Sequence, residues 1–361
     1  MSFGTFFVPG PTEVRREVLN AMTRPVIAHR GRAFEELAEH LQAGLRAAFG
    51  TQRPVLIGTC SATGFMEMGV RCARPGPVLS LVNGAFSGRY AKIAAACGRE
   101  VDRYDVEWGT VHDVAELGER LSKRDYAAMT VVHSETSTGA LNDVRALCAV
   151  ARARGVACLV DSVSGIGGAE FRFDAWEFDY ALTGSQKALA VPPGLAFAVA
   201  SERFLAEAPK ARDRGVYFDL VEFAEFAKKN QMPNTPAVSL MFALEKQLAD
   251  IGPDGFGARW ARHRAMAERT HAWVDETRAS LGVDVRVLAA TGHRSPTVTA
   301  VALPSGMSGS RVVDAVAERG FTIGNGYAKL KESTIRIGHM GDHTLATLNP
   351  CLDACAAALR A

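Results

Sequence analysis

Short apolar runs alternate with amphipathic stretches through the first two thirds of the chain. "PVLIGT" (54–59) reads as a strand and "ATGFMEMGVRCA" after it as a helix. "VLSLV" is a strand, and "GRYAKIAAACG" a helix that stops on a glycine. "AAMTVVH", "DVRALCAVARARG" and "VACLVD" repeat the pattern as strand, helix and strand, and "FDYALTG" and "GLAFAVA" add two strands. Strands alternating with helices predict parallel pairing through right-handed crossovers. Continuous runs such as "CLV" suit strands covered on both faces. Sheets of this kind bind ligands beyond the carboxyl ends of their strands.

From about Pro236 the pattern changes. "AVSLMFALEKQLADIG" and "RWARHRAMAERTHAWVDETRASLG" read as two long helices. "TVTAVALP", a helix from about Ser310 to Arg319, "STIRIGHMG" and a final helix to Arg360 complete the chain. The expected architecture is α/β, a mainly parallel central sheet sandwiched by helices, with a smaller C-terminal α+β domain. The expected divisions are an N-terminal segment 1–15, a large domain 16–252 and a small domain 253–361.

Composition narrows the classes. With 361 residues, 48% of them hydrophobic, the chain can bury a large core in more than one domain. A net charge of +2 gives no electrostatic case for nucleic acid or a membrane surface as partner. No signal peptide or membrane-spanning stretch is expected. The seven cysteines form no Cys-x-x-Cys pair, which suits reduced thiols in a cytoplasmic protein. Cys351 and Cys355 share a helical face, where packing is the expected role and no metal site is predicted.

Lys187, in "GSQKALAVPPG", follows a predicted strand by a few residues. An amine there loses hydration, its pKa falls, and it can condense with an aldehyde. Asp161 ends the strand of "ACLVDSVSGIGG"; it can cap the next turn or face a protonated pyridine nitrogen. Ser61, Ala62 and Thr63 open a helix before Gly64, as an N-cap or as a phosphate cradle. Phe86, after an Asn-Gly turn, can cover a flat ring or pack in the core. "VVHSETSTG" brings Glu135, Thr136, Ser137 and Thr138 to another strand end. Arg336 lies in an apolar strand, either as a bidentate carboxylate clamp or in a buried ion pair. An amine, an anion for a ring nitrogen and an anion cradle are the three things pyridoxal phosphate asks of a protein.

Taken together these stretches resemble the class V aminotransferases, a branch of the fold-type I pyridoxal phosphate enzymes, and among them the alanine–glyoxylate and serine–glyoxylate (serine–pyruvate) enzymes. "VPGPTEV", "HSETSTG", "DSVSGIGG", "GSQKALAVPPG", "SPTVTAV" and "IRIGHMG" occur in the family's order, from about Val8 to about Asp342. The resemblance implies pyridoxal 5'-phosphate as cofactor, Lys187 as the Schiff-base lysine and Asp161 as partner of the pyridine nitrogen. It implies that Ser61, Ala62, Thr63 and Gln186 bind the phosphate, Phe86 stacks on the ring, Val163 packs on its other face and Thr136 bonds near the ring oxygen. Arg336 would hold the substrate carboxylate, and Thr235, in "PNTPAVSL", would reach the phosphate of the neighbouring subunit in a homodimer. Cys60 and Ala62 stand where the family often has glycine, and Phe86 where it often has tryptophan.

The implied reaction is ping-pong transamination, from alanine or serine to a 2-oxo acid such as glyoxylate or pyruvate. Other class V donors, namely 2-aminoethylphosphonate, aspartate or ureidoglycine, are alternatives, as is a lyase or decarboxylase on the same fold. A desulfurase would need a mobile loop cysteine, which is not evident near "STIRIGHMG". A nucleotide-binding module would need a Gly-Lys-Ser/Thr ending, which "GTCSATG" lacks. His29 and Arg30 could meet a second anionic group or support a helix start, and Tyr327 and Lys329 have two readings in the same way.

Overall fold

The computed structural model describes residues 3–360. In chain order the strands are β1 (Phe6–Phe7), β2 (Leu56–Gly58), β3 (Val78–Val82), β4 (Val101–Asp105), β5 (Ala128–Val132), β6 (Ser134–Glu135), β7 (Ala140–Leu141), β8 (Ala157–Asp161), β9 (Tyr180–Gly184), β10 (Ala196–Ala200), β11 (Arg286–Val287), β12 (Thr299–Ala302), β13 (Thr322–Asn325) and β14 (Thr334–Ile337).

Seven of them form the central sheet, in the order β2-β10-β9-β8-β5-β3-β4. The pairs from β4 through β9 are parallel. β10 runs antiparallel to both β9 and β2, a reversal at one edge of the sheet. Neighbouring residues of one strand enter different cores: Leu159 joins the cluster around Phe65 and Tyr90, and Val160 the cluster around Leu41 and Phe49. Helices therefore cover both faces, which is why the strands read as unbroken apolar runs.

A second sheet, β1-β13-β14-β12-β11, is antiparallel apart from the β1–β13 edge, which is parallel. Its core of Phe7, Ile335 and Ile337 packs against Leu348 and Leu352 of the helix Leu345–Arg360. Cys351 and Cys355 are buried in that same cluster. The first residues of the chain thus complete a sheet made otherwise from its last quarter. The two sheets are tied by Arg259, whose guanidinium donates to the Ala188 carbonyl and pairs with Asp342 at 2.8 Å.

The short strands β1, β6, β7, β11 and β13 are not read from the sequence, and two elements near the site's sheet also differ from that reading. The helix expected from Gly88 begins at Ala85, so Phe86 stands in its first turn and not in a loop. β4 has no apolar run: Asp102, Arg103 and Asp105 give it a polar edge-strand pattern.

Candidate active site

A cavity of about 300 Å³ opens at the carboxyl ends of β5, β8 and β9. Its walls are Ser61, Ala62, Thr63 and Met66 at the start of one helix, Phe86 and Arg89 from the next, Val132, Ser134 and Thr136 at and beyond the end of β5, Asp161, Val163 and Ser164 at and beyond the end of β8, and Gln186 and Lys187 after β9. All the predicted site residues line it except Thr235 and Arg336. A wider cleft of about 930 Å³ lies beside Trp176, Trp260 and Arg264, and none of the predicted site residues borders it.

Asp161 is the last residue of β8, fixed between β5 and β9 by pairing with Val132 and Leu182. Its Oδ1 accepts from the Val163 N–H at 2.8 Å, so the plain turn-capping role is real. Oδ2 makes no hydrogen bond among the described residues. Burial pushes the carboxyl up to about 7; Glu135 adds to the rise, while the Val163 N–H and the Lys187 amine oppose it. Desolvation dominates because the side chain is almost fully enclosed.

Lys187 is only 8% exposed. Its amine donates to the Pro9 carbonyl, a partner from the N-terminal segment. Burial pulls the amine down to about 8, and the nearby Arg336 guanidinium lowers it further against Asp161 and Glu135. A lysine held there is roughly one tenth neutral at pH 7, far more than a free lysine, as a nucleophilic amine requires.

Ser61 is the N-cap of the helix Ala62–Cys72, yet its side chain makes no capping bond. Among the described residues the Ser61 and Thr63 hydroxyls make no hydrogen bond. The Gly64 N–H donates to the Ser61 carbonyl at 2.9 Å, and the helix start keeps the Ala62 and Thr63 N–H groups and two hydroxyls for an anion. The Phe218 ring packs on Gly64 so closely that a side chain there would overlap it.

Glu135 serves a purpose the sequence did not suggest. Its carboxylate accepts from the Ser87 N–H at 2.8 Å, the Ser87 hydroxyl at 2.9 Å and the Phe86 N–H at 3.2 Å, and from the Ser137 hydroxyl at 2.6 Å. It is the anionic cap of the helix Ala85–Ala96 and fixes the turn that carries Phe86. Thr136, beside it, shares a hydroxyl–hydroxyl bond of 2.5 Å with Ser164.

Arg336 sits at the rim. Its Nε donates to the Asn325 carbonyl at 2.8 Å and Nη1 to the Thr136 carbonyl at 3.3 Å. It is 8% exposed, and it forms no ion pair among the described residues. Burial lowers its pKa to about 10, with Tyr327 and Glu135 opposing. The structural ion pair considered from sequence is therefore not what holds it.

The remaining expectations separate. Arg30 donates to the Met232 and Pro233 carbonyls at 2.7 and 3.1 Å and so braces a loop, and neither it nor His29 borders the cavity. Lys329 lies over the Trp108 ring at 4.4 Å. Thr235 is exposed, two residues before an N–H that donates to Thr59 Oγ1 at 2.9 Å. Arg89, Ser134 and Ser164 line the cavity without having been singled out. The signal for Arg89 was available: it follows Phe86 by three residues on one helical face.

A mainly parallel sheet with one reversed strand next to its edge, a second sheet completed by the N-terminal strand β1, and a lysine and an aspartate at adjacent strand ends define a fold-type I transferase. Residues 84–340 match the family described as aminotransferase class-V. An uncharacterized aminotransferase of Methanocaldococcus jannaschii is 36% identical over 94% of this chain and 90% of its own length. The serine–glyoxylate aminotransferase of Methylorubrum extorquens is 30% identical over 93% of this chain and 86% of its own. The crystal structure of a Thermus thermophilus aspartate aminotransferase superposes with a TM-score of 0.88 at 31% identity, covering 98% of this chain and 99% of that one. The chain belongs to the class V aminotransferases and is a transaminase.

The donor set fits the cofactor of that fold. A buried amine, a buried carboxylate with one unbonded oxygen, and unbonded hydroxyls at a helix start are the groups pyridoxal phosphate needs.

Proposed function

We propose that this transaminase moves the amino group of a small amino acid, alanine or serine, to a 2-oxo acid such as glyoxylate or pyruvate. The observation that carries the reading is Arg336, a nearly buried guanidinium near the Lys187 amine that has no carboxylate partner among the described residues. Such a charge is costly unless an anion meets it, and a substrate α-carboxylate is that anion.

Lys187 would hold pyridoxal phosphate, Asp161 its ring nitrogen, Phe86 and Val163 its two faces, and Thr136 would bond near its ring oxygen. Ser61, Ala62, Thr63 and Gln186 would hold its phosphate. When bound, the group supplies an electron sink for the charge left at Cα. Lys187, once its amine is free, takes the proton from Cα and returns it on the far side of the exchange. Arg336 fixes the carboxylate so that the Cα–H bond faces that amine. Phe86 and Tyr327 shield the site from water.

The same reading makes the enzyme a cytoplasmic homodimer, with Thr235 of one copy at the phosphate of the other. It also divides the chain into the segment 1–15, a large domain 16–252 and a small domain 253–361. Its supports are the exposed position of Thr235, the seven free thiols and the N-terminal carbonyl on Lys187. No helix among the described residues is long and apolar enough to cross a membrane.

The test is a panel of L-alanine, L-serine and L-aspartate against glyoxylate, pyruvate and 2-oxoglutarate. The highest kcat/KM is expected for alanine or serine with glyoxylate or pyruvate. A clear preference for aspartate or for 2-oxoglutarate would overturn the assignment. Borohydride reduction followed by peptide mapping should place the pyridoxyl group on Lys187, and a label on another lysine would reassign the site.

A further inference from the structure

Tyr327 touches both Phe86, the expected cover of the cofactor ring, and Arg336, the expected carboxylate clamp. Its ring stacks on Phe86 with centroids 5.1 Å apart and planes 26° from parallel. The Arg336 guanidinium carbon lies 5.4 Å from the same ring. Its hydroxyl accepts from Arg89 Nη2 at 2.7 Å, and Arg89 lines the cavity. The phenol is therefore held at its hydroxyl by Arg89 and across its ring by Phe86 and Arg336.

The backbone beneath it is braced as well. The Gly326 N–H donates to the Thr334 carbonyl at 3.0 Å, and the Leu330 N–H to the Tyr327 carbonyl at 3.1 Å. A ring on such a turn is a fixed wall, in contrast to a surface side chain free to swing away. It also differs in kind from its neighbours. Phe86, Lys187 and Asp161 belong to the central-sheet body, whereas Tyr327 and Arg336 come from the second sheet.

We propose that Tyr327 is the specificity-determining residue of this site and confines the amino donor to small side chains. This rests on the transaminase reading above, with the substrate carboxylate on Arg336 and its amine at Lys187. An amino acid held at those two points has one substituent left to place, its side chain. The Tyr327 ring, stacked on Phe86 and next to the Arg336 guanidinium, would bound that space from just beyond the cavity wall. A methyl or hydroxymethyl group fits beside the ring, and a branched four-carbon side chain meets it. Two further features make ring volume the selector. Arg89 holds the hydroxyl, so the ring cannot tilt outward without losing a charge-assisted bond. The stack on Phe86 stops it from moving toward the cofactor face.

The experiment compares the wild-type holoenzyme with Tyr327→Ala and Tyr327→Phe. The first readout is kcat/KM for L-alanine and L-leucine with glyoxylate. The second is the Kd of 2-aminoisobutyrate and of α-methylleucine by titration calorimetry; neither carries the Cα proton, so binding is read without turnover. The wild type should favour the small member of each pair. Tyr327→Ala should move both ratios toward the large member by about tenfold or more, the discrimination that a few methylenes in a pocket wall supply. Tyr327→Phe should leave the ratios within about threefold, because the ring volume is kept. Unchanged ratios in Tyr327→Ala overturn the proposal. Equal shifts in both variants also overturn it and assign selectivity to the hydroxyl bond with Arg89. If the wild type turns over no donor yet the Kd ratio shifts as expected, the transaminase substrate reading fails and the wall stands. A cofactor spectrum unchanged in both variants excludes a collapsed site as the cause of any shift.

Discussion

A methyl group placed on Gly10 would overlap the amine of Lys187, so the N-terminal segment lies directly on the reactive lysine. Gly10 has φ +110°, a conformation that residues with a side chain rarely adopt. Gly10→Ala therefore combines backbone strain with a displaced lysine. The strain alone should cost about 1–3 kcal/mol of stability. Bound cofactor per chain should fall with it, as read from absorbance and a denaturation midpoint. A variant with full cofactor and wild-type stability would show that the segment yields easily.

Arg336→Lys keeps a positive charge and loses the fork. Lysine cannot donate at once to the Asn325 carbonyl, the Thr136 carbonyl and a substrate carboxylate in one plane. The cofactor residues are untouched, so the spectrum should survive. The rate constant for the amino-acid half-reaction over its apparent Kd should drop about 100-fold, which corresponds to about 3 kcal/mol. Normal reaction with amino acids in a cofactor-loaded variant would make Arg336 structural.

How legible these features were depended on whether their causes are local. β3 and the strand ending on Asp161 could be read from sequence because burial on both faces leaves unbroken apolar runs. Lys187 and Asp161 were readable because strand ends collect chemistry in such sheets. β4 was missed because an edge strand carries alternating charges. The start of the Phe86 helix was misplaced because its cap, Glu135, lies 48 residues away in sequence. The reversal of β10 leaves no trace in "GLAFAVA", since an apolar strand reads the same in either direction. The lack of an ion pair at Arg336 is a property of packing between the two sheets, which no spacing encodes. Tyr327 stood out only, with Lys329, as a residue that could meet a second anionic group, and its contacts with Phe86 and Arg89 come from the far half of the chain.

Removing the Glu135 carboxylate should expose several donors at once. Glu135→Ala leaves the Ser87 N–H, the Phe86 N–H and two serine hydroxyls without their acceptor in a buried place. A loss of about 3–5 kcal/mol is expected, since unsatisfied buried donors to a charged group cost more than an ordinary hydrogen bond. Glu135→Gln keeps one acceptor oxygen and should lose less. Urea denaturation of the two variants checks the order, and equal stability would show that water replaces the carboxylate.

Asp161 gives a pH signature in enzyme stripped of cofactor. Its folded pKa of about 7 lies above the ordinary aspartate value of 3.8, so between these values the folded state binds the extra proton. Stability from this group therefore falls as pH rises from about 4 to 7 and is level above. Asp161→Asn has no such proton. Measured against the wild type, the Asn variant should gain relative stability across that window, by at most about 4 kcal/mol. Buried His133 and His339 have folded values near 4 and 3 and titrate in the opposite sense, but they are common to both proteins and cancel in the comparison. A difference that does not vary with pH would mean that the carboxyl is hydrated.

The pairing of β1 with β13 joins Phe6 and Phe7 to Thr322 and Ile323. A ribosome delivers these partners more than 300 residues apart. The strand that brings Pro9 and Gly10 onto Lys187 must wait for all the intervening chain before it can dock. Closing so long a loop is entropically slow, and local contacts form well before it. The central sheet can thus assemble around Asp161 and Lys187 while the amine is still uncovered. Access to that lysine is widest in the newborn protein and narrows when the last quarter of the chain arrives.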